Sequence, residues 1–195
     1  MTGTSYLSIS QWFTAAEQPR HLTAISPWEG FSDVCRDLVM RGGMPDIGFA
    51  ERLQLNSYAG KNAREDILTE VQRYPLMNDL WEDKTTRFDK ITVPAYVVAS
   101  YSNPRLAADR LGTEVAAHPR HAGMADYYDE TNVEDLRRFF DHYLKGEDNG
   151  WEQTPRVRYS VHDLEGGDRT NQPANEFPPE MSPTRSTTST GARAR

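Results

Sequence analysis

The chain has 195 residues, the size of one domain or a little more, and carries 29 acidic against 22 basic residues for a formal net charge of −7 at pH 7. That balance excludes nucleic acids and anionic membrane surfaces as partners, and no apolar run approaches the roughly 20 residues of a membrane span. Hydrophobic residues make up 37% of the chain and the mean hydropathy is −0.75, which points to a polar tail and to a core lacking some of its partners.

The first element is a turn. A serine hydroxyl becomes a useful nucleophile only when a base takes its proton and donors hold the oxyanion. A sharp strand-to-helix turn lifts such a serine out of the sheet and demands small residues beside it. Gly3 meets that demand two residues before Ser5; two residues after it, where a second glycine is usual, stands Leu7, with Ser8 next. The same residues also read as an ordinary helix start, with Thr4 or Ser5 as N-cap and Ile9, Trp12, Phe13 and Ala16 on one face. Only Met1 and Thr2 precede Gly3, so the strand that feeds such a turn is expected to be missing, together with the strands before it.

A helix is predicted over 6–18, then a short strand over Leu22–Ser26 stopped by Pro27. Cys35 has no disulfide partner and no neighbour that would lower its pKa, so it reads as an inert thiol and fits a cytoplasmic setting. Residues 30–90 carry scattered helical segments, the clearest near 64–73. Pro94–Ser100 is a continuous apolar run and predicts a buried parallel strand. A second helix is predicted over 132–145, opened by the capping box Thr131-x-x-Glu134 and ended by Gly146, with Val133, Leu136, Phe139, Phe140, Tyr143 and Leu144 on its apolar face. Pro155–His162 alternates as a half-buried strand with no sheet of its own to join. From Glu165 onward the composition predicts disorder. Strand, helix and strand in alternation give an α/β class.

The wording of several segments is more specific than the turn alone. Gly3-x-Ser5-Tyr6-Leu7 with Gln11-Trp12, then His21-Leu-Thr-Ala-Ile-Ser-Pro27-Trp28-Glu-Gly-Phe-Ser-Asp33, resembles the CocE/NonD (cocaine-esterase-like) hydrolases, relatives of the X-Pro dipeptidyl-peptidases. The resemblance continues through Arg41-Gly-Gly43, Tyr74-Pro-Leu-Met-Asn78, Trp81–Lys84, Ile91–Ser100, Asp126–Tyr128, Arg138–Asp141, Tyr143–Gly146 and Asn149–Trp151. It covers roughly residues 1–163, with a damaged interval near 103–124. It implies an incomplete α/β-hydrolase domain over 1–146, holding the C-terminal half of the fold with a helical cap at 30–90. Residues 147–164 would start a C-terminal β-sandwich, and 165–195 would be a tail.

The triad order after such a serine is acid, then histidine. The acid belongs in the loop after the strand ending at Ser100, and the residue there is Asn103, with Asp109 as a more distant substitute. An amide orients an imidazole but does not stabilise the imidazolium by charge. The histidine belongs after the next strand, near Val115–Ala117. His121, before Ala-Gly as in the family, ranks ahead of His118, and both also read as plain loop histidines. The interval from Asn103 to His118 is short for a helix plus a strand. His118 and His121 lack an obvious third metal ligand, and no nucleotide fingerprint is present, so no metal or cofactor is expected.

The expectation is therefore a serine hydrolase acting on ester or amide bonds. Ser5 is its nucleophile, His121 or His118 its base, Asn103 stands at the acid position, and Tyr6 (through its N–H) and Trp28 are substrate contacts. By resemblance the substrate is an acyl ester or an X-Pro peptide. With its feeding strand missing, activity is expected to be negligible, and a non-catalytic remnant is the alternative. An exposed sheet edge near Tyr6, Ile9, Trp12, Leu22 and Ile25 predicts self-association.

Overall fold

The computed structural model describes residues 1–52, 63, 65–100, 114–118, 127–161, 167 and 169–176; at 52 and 114–118 it describes the backbone alone. Five parallel strands and one antiparallel strand form a single sheet in the order β1-β2-β5-β6-β7-β8. They are β1 (Thr2–Thr4), β2 (Ser26–Trp28), β5 (Tyr96–Ser100), β6 (Glu114–His118), β7 (Val157–Val161) and β8 (Arg169–Ala174). A small hairpin, β3 (Met40–Arg41) and β4 (Met44–Pro45), stands apart.

The strand expected to be missing is present. Thr2, Gly3 and Thr4 pair in parallel with Ser26, Pro27 and Trp28, and the Ser26 N–H donates to the Met1 carbonyl at 2.8 Å. Three residues suffice because main-chain hydrogen bonds hold a strand whatever its side chains. The same register puts Pro27 inside β2, where the sequence predicted a stop. β1 ends the strand order, an edge position.

Alternation along β5 sorts its side chains onto two layers. Val97 and Ala99 join Ile25 under Trp12 and Ala15 of α1 (Tyr6–Ala16). Tyr96 and Val98 join Ala24 and Trp28 under Leu136 and Phe139 of α5 (Glu130–Phe140), with Trp151 beside them. All five residues of β5 are buried, as a parallel strand covered on both faces must be. Ile9, Trp12 and Ile25, expected near an exposed edge, are instead core, because α1 packs its inner face down: Trp12 onto Ile25, Val97 and Ala99, and Ile9 into the cluster beside it.

A third cluster lies beside α1. Ile9 packs with Phe31, Cys35, Leu38, Val39, Ala50, Val71 and Trp81. These come from a wide π-type helical turn (Val34–Val39), α2 (Ile47–Arg52), α3 (Ile67–Arg73) and α4 (Asp79–Asp83). The turn is capped by Asp33, α3 by Asp66 and α4 by Asn78, each accepting a main-chain N–H.

Three further corrections concern the C-terminal part. The N-cap of α5 is Asp129, not Thr131: its carboxylate accepts the Thr131 N–H at 3.0 Å. Helical turns continue past α5 through Asp141–Lys145 to Gly146, whose φ of 71° is a left-handed stop. The strand at 157–161 does have a sheet. It pairs in parallel with β6 rather than opening a sandwich of its own, and Arg158 ties it down through Asp135 (2.5 Å) and the Tyr96 hydroxyl (2.7 Å). Beyond it, Arg169–Ala174, read from composition as disordered, is the antiparallel strand β8. Pro173 is tolerated because β8 ends the sheet order.

Candidate active site

Ser5 stands between β1 and α1 with φ 57° and ψ −117°. That backbone region is strained for any residue with a side chain and costs on the order of 1–3 kcal/mol. An N-cap serine adopts an extended backbone and bonds the first turn of its helix. Ser5 does neither: its side chain makes no cap hydrogen bond. Ser5 starts the helix by position but not as a side-chain cap; its backbone is that of a strained strand-to-helix turn.

The elbow is fixed from four sides. The Ser5 N–H donates to the Trp28 carbonyl at 2.9 Å, and the Ser5 carbonyl accepts from Ser8 and Ile9. Gly3 leaves room for the first turn of α1, since a Cβ there would lie 2.6 Å from the Leu7 Cβ. Gly30 does the same from the opposite side: a Cβ would meet the Ser8 hydroxyl, with the Ser8 Cβ at 2.7 Å and the Ile9 nitrogen at 3.0 Å. Gln11, fully buried, joins the pieces. Its Nε2 donates to the Leu7 carbonyl at 2.9 Å and its Oε1 accepts the Ser26 N–H at 3.0 Å. Sequence reasoning missed Gln11 and Gly30. A polar residue on the inner face of an otherwise apolar helix was the available signal for the first.

Ser5 is exposed, as are Tyr6 (60%) and Leu7 (61%). The Tyr6 amide opens α1, where first-turn N–H groups point out of the helix end rather than into its ladder. Trp28 does not meet its expectation as a substrate contact. It is 0% exposed, its indole N–H donates to the Ser26 hydroxyl at 3.1 Å, and its ring packs edge-on to Tyr127 at 5.0 Å. Its role is core.

The carboxyl ends of the parallel strands bring a row of polar residues to one edge of the sheet. Ser5 follows β1, Glu29 follows β2, Ser100 ends β5 and His118 ends β6. Register aligns them: Thr4 pairs with Trp28, Trp28 with Val98, and Ser100 with His118. Glu29 is buried at 2% exposure, has φ 56°, and accepts a hydrogen bond from the Ser100 hydroxyl at 3.1 Å. Asn103, Asp109 and His121 lie outside the described residues. Burial, and then the neighbouring Asp33 carboxylate, push the Cys35 thiol up, away from nucleophilic use. Among the described residues no three His, Cys, Asp or Glu side chains are grouped to hold a metal, and no helix is long and apolar enough to cross a membrane.

No protein-family model and no curated protein matches the chain. Solved structures do. A CocE/NonD family hydrolase from Staphylococcus aureus is similar at 32% identity and TM-score 0.82, over 91% of this chain and 34% of that one. A second structure of a CocE/NonD family hydrolase from the same organism gives 31% identity and TM-score 0.74 over the same shares. An aminopeptidase from a marine sediment archaeon (Thaumarchaeota archaeon) shares the fold at 15% identity and TM-score 0.61, over 92% of this chain and 39% of that one. The chain is similar in sequence and fold to CocE/NonD family hydrolases and spans about a third of the length of these S. aureus proteins.

Proposed function

We propose that the chain carries the nucleophile side of a serine hydrolase that acts on acyl esters or on amides such as an X-Pro dipeptide end. Ser5 attacks the carbonyl carbon, and the Tyr6 N–H steadies the oxyanion. A histidine beyond β6 takes the serine proton and returns it to the leaving group. The observation that carries this is the backbone of Ser5, φ 57° and ψ −117°, with its hydroxyl left uncommitted to capping.

His121 is the better base of the two. Ser5 and His118 follow strands three places apart in the sheet order, about 14 Å at the usual strand spacing. That exceeds what an imidazole and a serine hydroxyl bridge between them. His121, which precedes Ala-Gly as the histidine of the resembled family does, is therefore put ahead of His118. Asn103 in the acid position orients the imidazole without charging it, which argues for a slow enzyme. It also keeps the second reading, a non-catalytic remnant, in play.

A fluorophosphonate probe decides between them. Covalent labelling of the wild type that Ser5→Ala abolishes, with slow hydrolysis of p-nitrophenyl esters, is the expected result. Equal labelling of both proteins, or none of either, overturns the hydrolase reading and favours the remnant. The edge strand β1 also offers a second copy a place to pair, which sedimentation would read as a concentration-dependent dimer.

A further inference from the structure

We propose that Gln11 is a positioning residue for the reaction: its buried amide grips the chain on both sides of Ser5 and holds the elbow in the backbone geometry from which the serine attacks. This rests on the hydrolase reading above and deepens it.

Gln11 is fully buried on the inner face of α1, beside the core residue Trp12, where a leucine or methionine would fill the same space. A primary amide taken out of water needs its donors and its acceptor met, so it is costly as filling alone. Here both ends are met, and every partner belongs to the elbow. Nε2 donates to the Leu7 carbonyl at 2.9 Å and reaches the Gly3 carbonyl at 3.5 Å. Oε1 accepts the Ser26 N–H at 3.0 Å, a hydrogen shared with the Met1 carbonyl at 2.8 Å. These partners fix which way the amide points: turned over, its oxygen would face two carbonyls and its NH2 would face an N–H.

Gly3 and Leu7 stand two residues before and two residues after Ser5. Ser26 opens β2, the strand whose last residue, Trp28, accepts the Ser5 N–H at 2.9 Å. One side chain thus spans β1, the first turn of α1 and the strand beside them. Ser5 keeps φ 57° and ψ −117° only because its surroundings over-determine it. Gly3 and Gly30 permit the turn by leaving room, whereas Gln11 draws it closed. With that tie cut, α1 stays seated on the sheet through Trp12 and Ala15, but its first turn, which carries the Tyr6 N–H, is free to shift against Ser5. A displacement of about 1 Å between reacting groups costs on the order of 100-fold in rate.

The test is fluorophosphonate labelling of the full chain, resolved into probe affinity and the rate of the covalent step, beside amide hydrogen exchange. In Gln11→Leu the covalent step is expected to slow by about 10- to 100-fold with probe affinity little changed. Ser10→Ala removes another donor to the Leu7 carbonyl, at 3.1 Å, and should label like the wild type. Leu136→Ala, a core truncation on the opposite face of the sheet, gauges a purely structural effect: it lowers Tm and should leave the covalent step unchanged while the protein is folded. Gln11→Glu adds a pH readout. Its carboxylate has no proton to donate to the Leu7 carbonyl; once protonated, it donates there and still accepts the Ser26 N–H. Its labelling rate relative to the wild type should therefore climb as pH falls.

The proposal is overturned if folded Gln11→Leu labels at the wild-type rate, or slows no more than Leu136→Ala does for the same loss of Tm. It is equally overturned if Gln11→Glu stays at the Gln11→Leu rate between about pH 5 and 9. A wild type that does not label at all sinks the hydrolase reading instead, and exchange then still judges Gln11. In Gln11→Leu the Ser5 and Ile9 N–H groups, bonded to the Trp28 and Ser5 carbonyls, should exchange faster while those of β5 stay protected. Unchanged exchange at both overturns the grip on the elbow whatever the chemistry.

Discussion

The elbow and the helix that covers the other face of the sheet are held together in opposite ways. Around Ser5 each side-chain contribution comes from one residue. One glycine clears Leu7, another clears Ser8, and one glutamine bridges α1 to β2. On α5 the contacts overlap. Arg137 is held by both Glu134 and Asp141, Asp141 by both Arg137 and Lys145, and Asn149 ties the Arg138 carbonyl to the Trp151 N–H. Beneath these, Phe139 meets Tyr96, Phe140, Tyr143 and Trp151 at ring distances of 5.0–5.8 Å. A redundant arrangement tolerates the loss of a member. A single-contact arrangement fixes one geometry, strain included, and tolerates little.

The largest break in that contrast should come from Gly30→Ala. The added methyl enters space already filled by Ser8 and the start of α1, where helix backbone cannot yield cheaply. Overpacking of this kind costs about 1–3 kcal/mol and sometimes more. We expect a drop in Tm of many degrees together with loss of Ser5 labelling. An alanine at Gly30 with wild-type Tm would mean that the β2–α1 junction yields to the added methyl at no cost.

Gln11→Leu should come next. It keeps the bulk, removes the Gln11 bonds to the Leu7 carbonyl and the Ser26 N–H, and leaves that N–H with the Met1 carbonyl alone, at a cost of about 1 kcal/mol. The same change frees the first turn of α1 from β2, so labelling should slow more than stability alone accounts for. Asn149→Ala supplies the matched control on the helix side. It is expected to cost less, because the apolar face of α5 remains seated on Tyr96 and Trp28.

Legibility from sequence follows the same division. Elements defined by local pattern were readable: the apolar run of β5, the helix after Ser5, the glycine two residues before it, and the apolar face of α5 and its continuation except at Val133 and Leu144, which are exposed because no described residue packs over those positions of the face. Elements defined by distant pairing were not. β1 is three residues of no special composition, made a strand by Ser26–Trp28. β8 is polar throughout and is held by main-chain bonds to β7. Pro27 looked like a stop and sits inside a strand. The same holds for the site. The strained turn at Ser5 was legible because it leaves a glycine signature. Trp28 was misassigned because a tryptophan beside a motif carries no mark of which way it faces, and Glu29 was passed over because its burial depends on β5, far away in the chain.

A smaller effect, of opposite sign, is expected at Ser5 itself. Ser5→Gly removes the side chain that makes φ 57° costly. Relief of that strain should raise stability by about 1 kcal/mol while ending probe labelling. Thermal melts of Ser5→Gly and Ser5→Ala separate the causes, since alanine loses the hydroxyl but keeps the strain. Equal Tm for glycine and alanine would show that the surrounding contacts, and not the backbone, store the cost.

The smallest effect belongs to the helix side and depends on pH. The Lys145 ammonium first, then the Arg137 guanidinium, hold the Asp141 carboxyl below its ordinary value. A carboxyl whose pKa is lower folded than unfolded binds protons more readily in the unfolded chain. It therefore adds stability that is complete above the unfolded value, near 4, and is lost as pH falls through the folded one. Asp141→Asn should lower Tm slightly near pH 7, by less than any change above, with the difference closing as pH drops below about 4. Because the two cations are themselves more than half exposed, at 56% and 62%, salt should shrink the difference further. A Tm deficit that persisted in acid or in high salt would assign the role of Asp141 to packing. The redundancy that separates α5 from the elbow would then lie in its apolar face alone.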